Sequence, residues 1–187
     1  MSMELIVVLL AAAFLTDFVA LMPVGAFLLG VGEDARPIWI ILLIGGIVHF
    51  ITGILVILAS DAAAFGETAA LVGYAIIVFG WIFVGIAYMS YREFEATGVG
   101  HLALFSAGIF LVYAIADIMF GYLIWALIML TIVAILLIVA AMDYGKISGK
   151  VCGACLILFS IEAFIIGLGL IVGFIAYGVP AIPALGI

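Results

Sequence analysis

The 187-residue sequence has few charged residues and very few basic ones. Charged residues make up 8 % of the chain, and four lysines and arginines stand against eleven aspartates and glutamates, for a net charge of −7. Soluble domains are about a quarter charged, so this composition excludes a soluble enzyme and a disordered chain. A chain with so few cations lacks the basic surface that binds phosphates, and we expect no nucleic-acid partner.

Cysteine and histidine are scarce as well. There are two of each, and the two cysteines form a single Cys-x-x-Cys pair, Cys152 and Cys155. This is too little for a disulfide scaffold, and a zinc or iron–sulfur site needs more ligands. The sequence also lacks a phosphate-binding glycine loop and a Ser/His/Asp pattern. We therefore expect no metal, no cofactor and no enzymatic activity, and we interpret the cysteines as small residues on a packing face.

Hydrophobic residues make up 71 % of the chain and form six long runs. A membrane-crossing helix takes about 20 apolar residues, and the runs lack the apolar/polar alternation of a transmembrane barrel. The predicted spans are Leu5–Leu29, Ile38–Ala59, Thr68–Met89, Leu102–Ala116, Tyr122–Met142 and Val151–Tyr177. We interpret the first as a helix rather than a signal peptide, because it has no basic flank and is too long. The sequence predicts an all-α integral membrane bundle of six transmembrane helices in one domain, residues 1–187.

The basic residues predict an orientation. Arg36, Arg92, Lys146 and Lys150 all fall in the first, third and fifth connectors. The positive-inside rule places these connectors in the cytoplasm and both termini outside the cell membrane. The same connectors join consecutive helices, so we expect three helical hairpins.

Three ionisable residues lie inside predicted spans: Asp17, His49 and Glu162. A charge at the bilayer centre costs at least about 2.5–3.5 kcal/mol, and such residues usually face the bundle interior or a watery path. No lysine or arginine lies in a span to pair with the two acids. They either line a solute path or are hydrogen-bonded packing groups. His49, between Gly46 and Gly53, is interpreted as a histidine at a close helix contact, with a pH-sensing role as the alternative.

Trp81 lies in the middle of the third span, away from the interfaces where membrane tryptophans concentrate. It is either part of a pore constriction or a packing residue, and the sequence favours neither.

Several motifs resemble those of a known family. They are Val78-Phe79-Gly80-Trp81-Ile82-Phe83, Thr97-Gly98-Val99-Gly100-His101, Leu104-Phe105-Ser106-Ala107 and Asp117-Ile118-Met119-Phe120-Gly121. In addition, Thr16-Asp17 takes the place of a Ser-Asn pair, and Glu162 resembles the acid of an Ile-Glu-Gly motif. In these features the chain resembles the six-helix urea and short-chain amide channels of the UreI/AmiS type.

The resemblance implies a homo-hexameric ring in the lipid bilayer, with one pore in each protomer and both termini outside. Carried over by position, it implies a solute path lined by Val7, Phe14, Asp17, Trp81, Gly85, Trp125, Met129, Ile132, Leu136 and Glu162. The chain departs from the family on the fifth helix, where only Trp125 remains of several tryptophans. It also has Asp17 where the family has asparagine, which makes the path more acidic.

A second family shares some of these features. Gly45-Gly46-Ile47, Phe65-Gly66 and Val151-Cys152-Gly153-Ala154 resemble motifs of the six-helix acetate and succinate transporters. The N-terminal Asn-Pro-Ala-Pro-Leu-Gly signature of that family is missing, and its termini face the cytoplasm.

The expected function is passive permeation of a small uncharged polar solute, such as urea or a short-chain amide. Proton-coupled transport of acetate or another monocarboxylate is one alternative. A non-transporting membrane sensor, or a subunit of a larger complex, is the other.

Overall fold

Six helices make up the regular structure of the chain. The structure is a computed structural model and describes residues 3–60, 66–93 and 95–171. The helices are α1 (Met3–Leu28), α2 (Arg36–Ser60), α3 (Gly66–Tyr91), α4 (Ala96–Met119), α5 (Leu123–Asp143) and α6 (Gly149–Ile171). Each is long and apolar enough to cross a membrane, and these ranges contain no strand. The predicted all-α, six-helix architecture is confirmed, and the chain is a multi-pass integral membrane protein.

The helices extend past the predicted spans at several ends. The largest difference is in α4, which begins at Ala96 rather than Leu102, so the segment 97–101 is helical rather than part of the connector. Gly100 in this segment packs so closely that a Cβ there would lie 3.2 Å from the nearest atom of α5. Tertiary packing therefore outweighs the low helix propensity of Gly98 and Gly100. Residues 172–177, the end of the sixth predicted span, lie outside the described residues.

An ion pair between Asp34 and Arg36 lies at the start of α2. The Arg36 side chain donates hydrogen bonds to both carboxylate oxygens of Asp34 at 2.9–3.1 Å, and its backbone N–H donates to Oδ1 at 2.9 Å. These bonds favour the charged carboxylate and hold the pKa of Asp34 below its ordinary value. Because both side chains are exposed, the pair orders the start of the helix but adds little stability.

The helix pairs with the most extensive contact are not the pairs that the basic connectors join. Contact is most extensive between α2 and α3, between α1 and α6, and between α4 and α5. The basic connectors predicted hairpins of α1 with α2, α3 with α4, and α5 with α6. These pairs touch less extensively, so the predicted hairpin arrangement is not confirmed. A connector fixes the side of the membrane on which two helices are joined, whereas small residues decide which helices approach closely.

Glycines make the close approach of α2 and α3. A Cβ on Gly46 would lie 2.8 Å from the carbonyl oxygen of Gly80, and a Cβ on Gly53 would lie 2.7 Å from that of Gly73. The contacts are reciprocal, since Cβ atoms on Gly73 and Gly80 would meet the carbonyl oxygens of Gly53 and Gly46 at 2.9 and 2.8 Å. The two backbones therefore touch at two levels, and a side chain at any of these positions would separate them.

Glycines also bring α1 and α6 into close contact. A Cβ on Gly25 would lie 2.8 Å from the carbonyl oxygen of Gly153, and the reciprocal distance is 2.7 Å. Cys152 and Cys155 lie on either side of Gly153 in sequence, and both are free thiols, the first buried and the second half-buried. This part of α6 is therefore a packing face.

Candidate functional site

Three cavities follow one another through the interior of the bundle. The Trp125 cavity, about 30 Å³, is lined by residues that include Leu10, Phe14, Asp17, His49, Phe79, Trp125, Met129 and Ile132. The Glu162 cavity, also about 30 Å³, is lined by residues that include Phe14, Asp17, Leu21, Phe79, Thr131, Ile132, Ile135 and Glu162. The Asp143 cavity, about 210 Å³, is lined by residues that include Leu21, Leu28, Trp39, Phe79, Phe83, Ser90, Ile135, Leu136, Asp143 and Cys152. Neighbouring cavities share lining residues, and Phe79 lines all three.

One stripe on each of three helices lines this row. The stripe on α1 is formed by Leu10, Phe14, Asp17, Leu21, Val24 and Leu28, which recur every three or four residues, with Ala13 beside Phe14. Similar stripes run from Val72 to Ser90 on α3 and from Trp125 to Asp143 on α5. At 1.5 Å per residue each stripe is about 27 Å long, close to the thickness of about 30 Å of the hydrocarbon core of a bilayer. The row of cavities therefore follows the bundle across most of the membrane.

Asp17 and His49 meet at the centre of the row. Asp17 Oδ1 lies 2.9 Å from His49 Nε2, although the two atoms do not form a linear hydrogen bond. His49 Nδ1 lies 2.8 Å from the carbonyl oxygen of Gly45, which can only accept, so Nδ1 carries a hydrogen. Two bare acceptors at 2.9 Å would repel each other. The pair can therefore hold one further proton, either as imidazolium and carboxylate or as imidazole and carboxylic acid.

Small residues one helical turn away bring this pair together. A Cβ on Gly45 of α2 would lie 3.2 Å from the Cβ of Ala20 on α1. Ala20 lies one turn after Asp17, and Gly45 lies one turn before His49, so the same contact sets the separation of the two helices at the pair.

Aromatic rings hold the histidine in place. The His49 ring makes edge contacts with Phe79 and Phe83, at centroid distances of 5.7 and 5.3 Å, and those two rings are 4.7 Å apart. His49 is fully buried. The imidazole therefore has one polar contact on each side and apolar surroundings elsewhere, which fixes its orientation toward Asp17.

The second acid lies across the next cavity. Glu162 of α6, Asp17 of α1 and Thr131 of α5 all line the Glu162 cavity. A space of about 30 Å³ is large enough for one water molecule. No lysine or arginine is among the described residues that line the three cavities. The interior polar groups among these lining residues are thus the carboxyl groups, one histidine, two hydroxyls, the Cys152 thiol and two tryptophan N–H groups, in otherwise apolar walls.

The cavities bring together most of the predicted path residues. Phe14, Asp17, Trp125, Met129 and Ile132 line the Trp125 cavity, where the Phe14 and Trp125 rings stack with centroids 6.3 Å apart. Glu162 lines the Glu162 cavity, and Leu136 lines the Asp143 cavity.

The other three predicted path residues lie elsewhere. Val7 is half-buried and packs against the core near the start of α1. Gly85 faces α4, where a Cβ would lie 2.6 Å from Leu102. Trp81 is 62 % exposed on the outside of the bundle, and its ring meets Phe50 edge-on at 5.3 Å.

We expect the Trp81→Ala variant to lose stability by about 0.5–1.5 kcal/mol, the value of one aromatic pair. Trp125→Ala should cost more, because Trp125 is 4 % exposed and its loss leaves a void in the core. Unfolding of the two variants in detergent micelles measures the difference. A larger loss for Trp81→Ala would show that this face is covered in the folded protein.

Among the interior residues that the sequence did not assign are Phe79, Thr131, Ser90 and Asp143. The pairing of His49 with Asp17 was also not assigned. A usable signal existed for the pair, since an acid and a histidine both lay in apolar spans without a partner. Phe79 belongs to a recognised motif, but nothing in the sequence marked it as facing inward.

The arrangement can hold a proton on the Asp17–His49 pair and can accept hydrogen bonds from a polar molecule at Asp17, Glu162 and Thr131. Within the described ranges, no group of three or more His, Cys, Asp or Glu side chains is placed to hold a metal ion. Comparison of the chain with protein-family models, with curated proteins and with solved structures gave no match.

Proposed function

We propose that this protein is a passive channel for a small uncharged polar solute, such as urea or a short-chain amide, of the UreI/AmiS type. The observation that carries the proposal is the row of cavities through the bundle, with both interior acids, Asp17 and Glu162, on the wall of its middle member. Two acids that packed helices together would not need a shared cavity between them.

The chemistry of the walls favours an uncharged solute. A hydrated ion would lose its water in the narrow apolar segments, and few groups there replace it. An amide or urea molecule carries N–H donors that the oxygens of Asp17, Glu162 and Thr131 can accept. A carboxylate would instead meet two acids and no lysine or arginine among the lining residues.

Passage requires movement of side chains. The Trp125 and Glu162 cavities each have room for about one water molecule, which is less than a urea molecule needs. Met129 and Ile132 line the narrow part, and an unbranched methionine changes conformation easily. In this conformation the path is therefore closed to urea as well as to larger solutes, and it opens through rotation of these side chains.

For the assembly we propose a homo-hexamer in the cell membrane, with both termini outside. The family resemblance supports the hexamer, and the positions of the four basic residues support the orientation.

Osmotic swelling of proteoliposomes tests the channel. Urea and acetamide gradients should cause faster swelling than in protein-free vesicles, without a proton gradient. Ile132→Phe should slow this flux, because Ile132 lines both narrow cavities. Leu127→Phe, on the outer face of the same helix at 64 % exposure, is the matched control and should leave the rate unchanged. Swelling indistinguishable from empty vesicles for every solute would favour a sensor or a subunit.

Proton-coupled transport of a monocarboxylate is the second candidate, and the Asp17–His49 pair favours it because the pair can hold a proton beside the path. Acetate uptake that depends on a proton gradient, with no permeation by urea or acetamide, would overturn the channel in favour of this transporter.

A further inference from the structure

The Asp143 cavity is far larger than the two cavities beside the interior acids. Its volume is about 210 Å³, against about 30 Å³ for each of the others. An engineered apolar cavity of about 150 Å³ binds benzene. The Asp143 cavity therefore has room for a compact organic molecule slightly larger than benzene, and the adjoining narrow segments would stop such a molecule from passing.

The cavity is apolar in its depth and polar at one end. The rings of Trp39, Phe79 and Phe83 form part of its wall, together with aliphatic side chains. Its three polar lining residues are Ser90 in the last turn of α3, Asp143 at the end of α5, and Cys152 in the first turn of α6, and all three helix ends lie on the same side of the bundle. An occupant would thus place its hydrocarbon part inward and a polar group toward this end.

Asp143 gives that end a negative group without a counter-ion. Its Oδ2 atom is buried and has no hydrogen-bond partner in the part of the chain that the structure describes. The basic residues at this end, Arg36, Arg92, Lys146 and Lys150, are exposed and are not among the residues that line the cavity. A buried carboxylate oxygen left without a partner costs free energy, and a donor brought by a ligand would recover it.

We propose that the Asp143 cavity is a binding site for a small organic amine, whose ammonium group pairs with Asp143 and whose hydrocarbon body packs against Trp39, Phe79 and Phe83. The charge of the wall selects an amine over an acid of the same shape. The proposal does not depend on solute permeation, because binding is measured on the purified protein without a gradient.

Three probes of nearly equal shape test the charge selection: benzylamine, benzyl alcohol and benzoate. Calorimetric titration of the protein in detergent micelles at mildly alkaline pH should show benzylamine binding most tightly, benzyl alcohol more weakly and benzoate not at all. Equal binding of benzylamine and benzoate would overturn the proposal, as would the absence of benzylamine binding.

Two pairs of variants locate the site. Asp143→Asn, which keeps the shape of the side chain, should weaken benzylamine binding by about tenfold or more and leave benzyl alcohol unchanged, since a hydrogen bond to a charged group is lost. Glu33→Gln, which changes an exposed acid at the same end, should affect the binding of neither probe.

Val139→Phe fills the cavity and should abolish binding of both probes, whereas Leu137→Phe, at a position 45 % exposed on the same helix, should not. Benzylamine binding unaffected by both Asp143→Asn and Val139→Phe would place it outside this cavity and contradict the proposal.

Discussion

The His49→Leu substitution is expected to destabilise the protein by at least about 1–3 kcal/mol, the cost of a buried polar group left without its partner. The loss rises to about 3–5 kcal/mol where the pair is imidazolium and carboxylate. Leucine fills much of the space of the imidazole, so the contacts with Phe79 and Phe83 are largely kept. The Asp17 carboxyl group, however, keeps its buried position and loses its only ion-pair partner among the described residues. The loss is therefore one of charge and hydrogen bonding rather than of packing.

Substitutions at Asp17 should separate charge from hydrogen bonding. Because Nδ1 of His49 donates to Gly45, Nε2 is free to accept from a neutral donor. Asp17→Asn supplies that donor in its side-chain amide and should keep stability close to that of the parent protein. Asp17→Leu supplies none and should cost about 1–3 kcal/mol for the acceptor left unpaired.

A double-mutant cycle provides the measurement. Reversible unfolding in mixed micelles gives the free energy of unfolding for the parent, His49→Leu, Asp17→Leu and the double variant. If the two residues act as a pair, the double variant loses much less than the sum of the single variants, because no polar group remains without its partner. Additive losses would show that the 2.9 Å contact contributes nothing to the folded state.

The sequence was sufficient to predict the helices but not their inward faces. Six runs of about 20 apolar residues have one structural solution in lipid, since every backbone N–H and C=O must be paired within the helix. In a soluble bundle the inward face is the apolar one. Here lipid is as apolar as the interior, so no periodicity distinguishes the residues that line cavities from those that face outward.

Trp81 illustrates why the inward-facing residues could not be predicted from the sequence. A helix turns by about 100° per residue, so Trp81 points nearly opposite to Phe79, which lines all three cavities. A motif that contains both residues identifies a conspicuous stretch of α3, but it does not say which aromatic residue faces the interior. Ionisable residues were better guides, because burial without a polar neighbour is costly for them wherever the helix faces. Asp17 and Glu162 were singled out for this reason, and both line cavities.

The Asp17–His49 pair could be predicted only with knowledge of how α1 and α2 pack against each other. Its formation depends on the relative depth of α1 and α2, which is set by the contact of Ala20 with Gly45. Single-sequence patterns describe one helix at a time and cannot supply that depth. Each member was recognised as an unusual residue, but the distance between them could come only from the packed structure.

The Gly80→Leu substitution is expected to prevent assembly of the bundle, and Gly80→Ala to cost about 1–3 kcal/mol, as overpacking does. A Cβ at this position would lie 2.8 Å from the carbonyl oxygen of Gly46, 3.0 Å from the Cβ of His49 and 3.3 Å from the backbone nitrogen of Phe50. None of these atoms is the end of a flexible side chain, so α2 as a whole must move away from α3.

Gly108 provides the matched control. It lies inside α4, as Gly80 lies inside α3, but a Cβ there would meet no atom within 4 Å. Gly108→Ala should therefore be neutral or stabilising by about 0.5–1 kcal/mol, the gain from replacing glycine within a helix. Unfolding in mixed micelles compares the two alanine variants directly, and equal effects would contradict the close α2–α3 contact.

The Gly80→Ala substitution should also weaken the Asp17–His49 pair. His49 is on the face of α2 that touches Gly80, and its other neighbours are Asp17 of α1 and the phenyl rings of α3. If α2 moves outward by the radius of a methyl group, the 2.9 Å contact between His49 and Asp17 lengthens and the pair weakens. The Gly80→Ala background should therefore shrink the coupling energy measured in the Asp17–His49 cycle, whereas Gly108→Ala should leave it unchanged. A coupling energy that survives Gly80→Ala in full would mean that the pair is held by the Ala20–Gly45 contact alone and not by the glycines of α2 and α3.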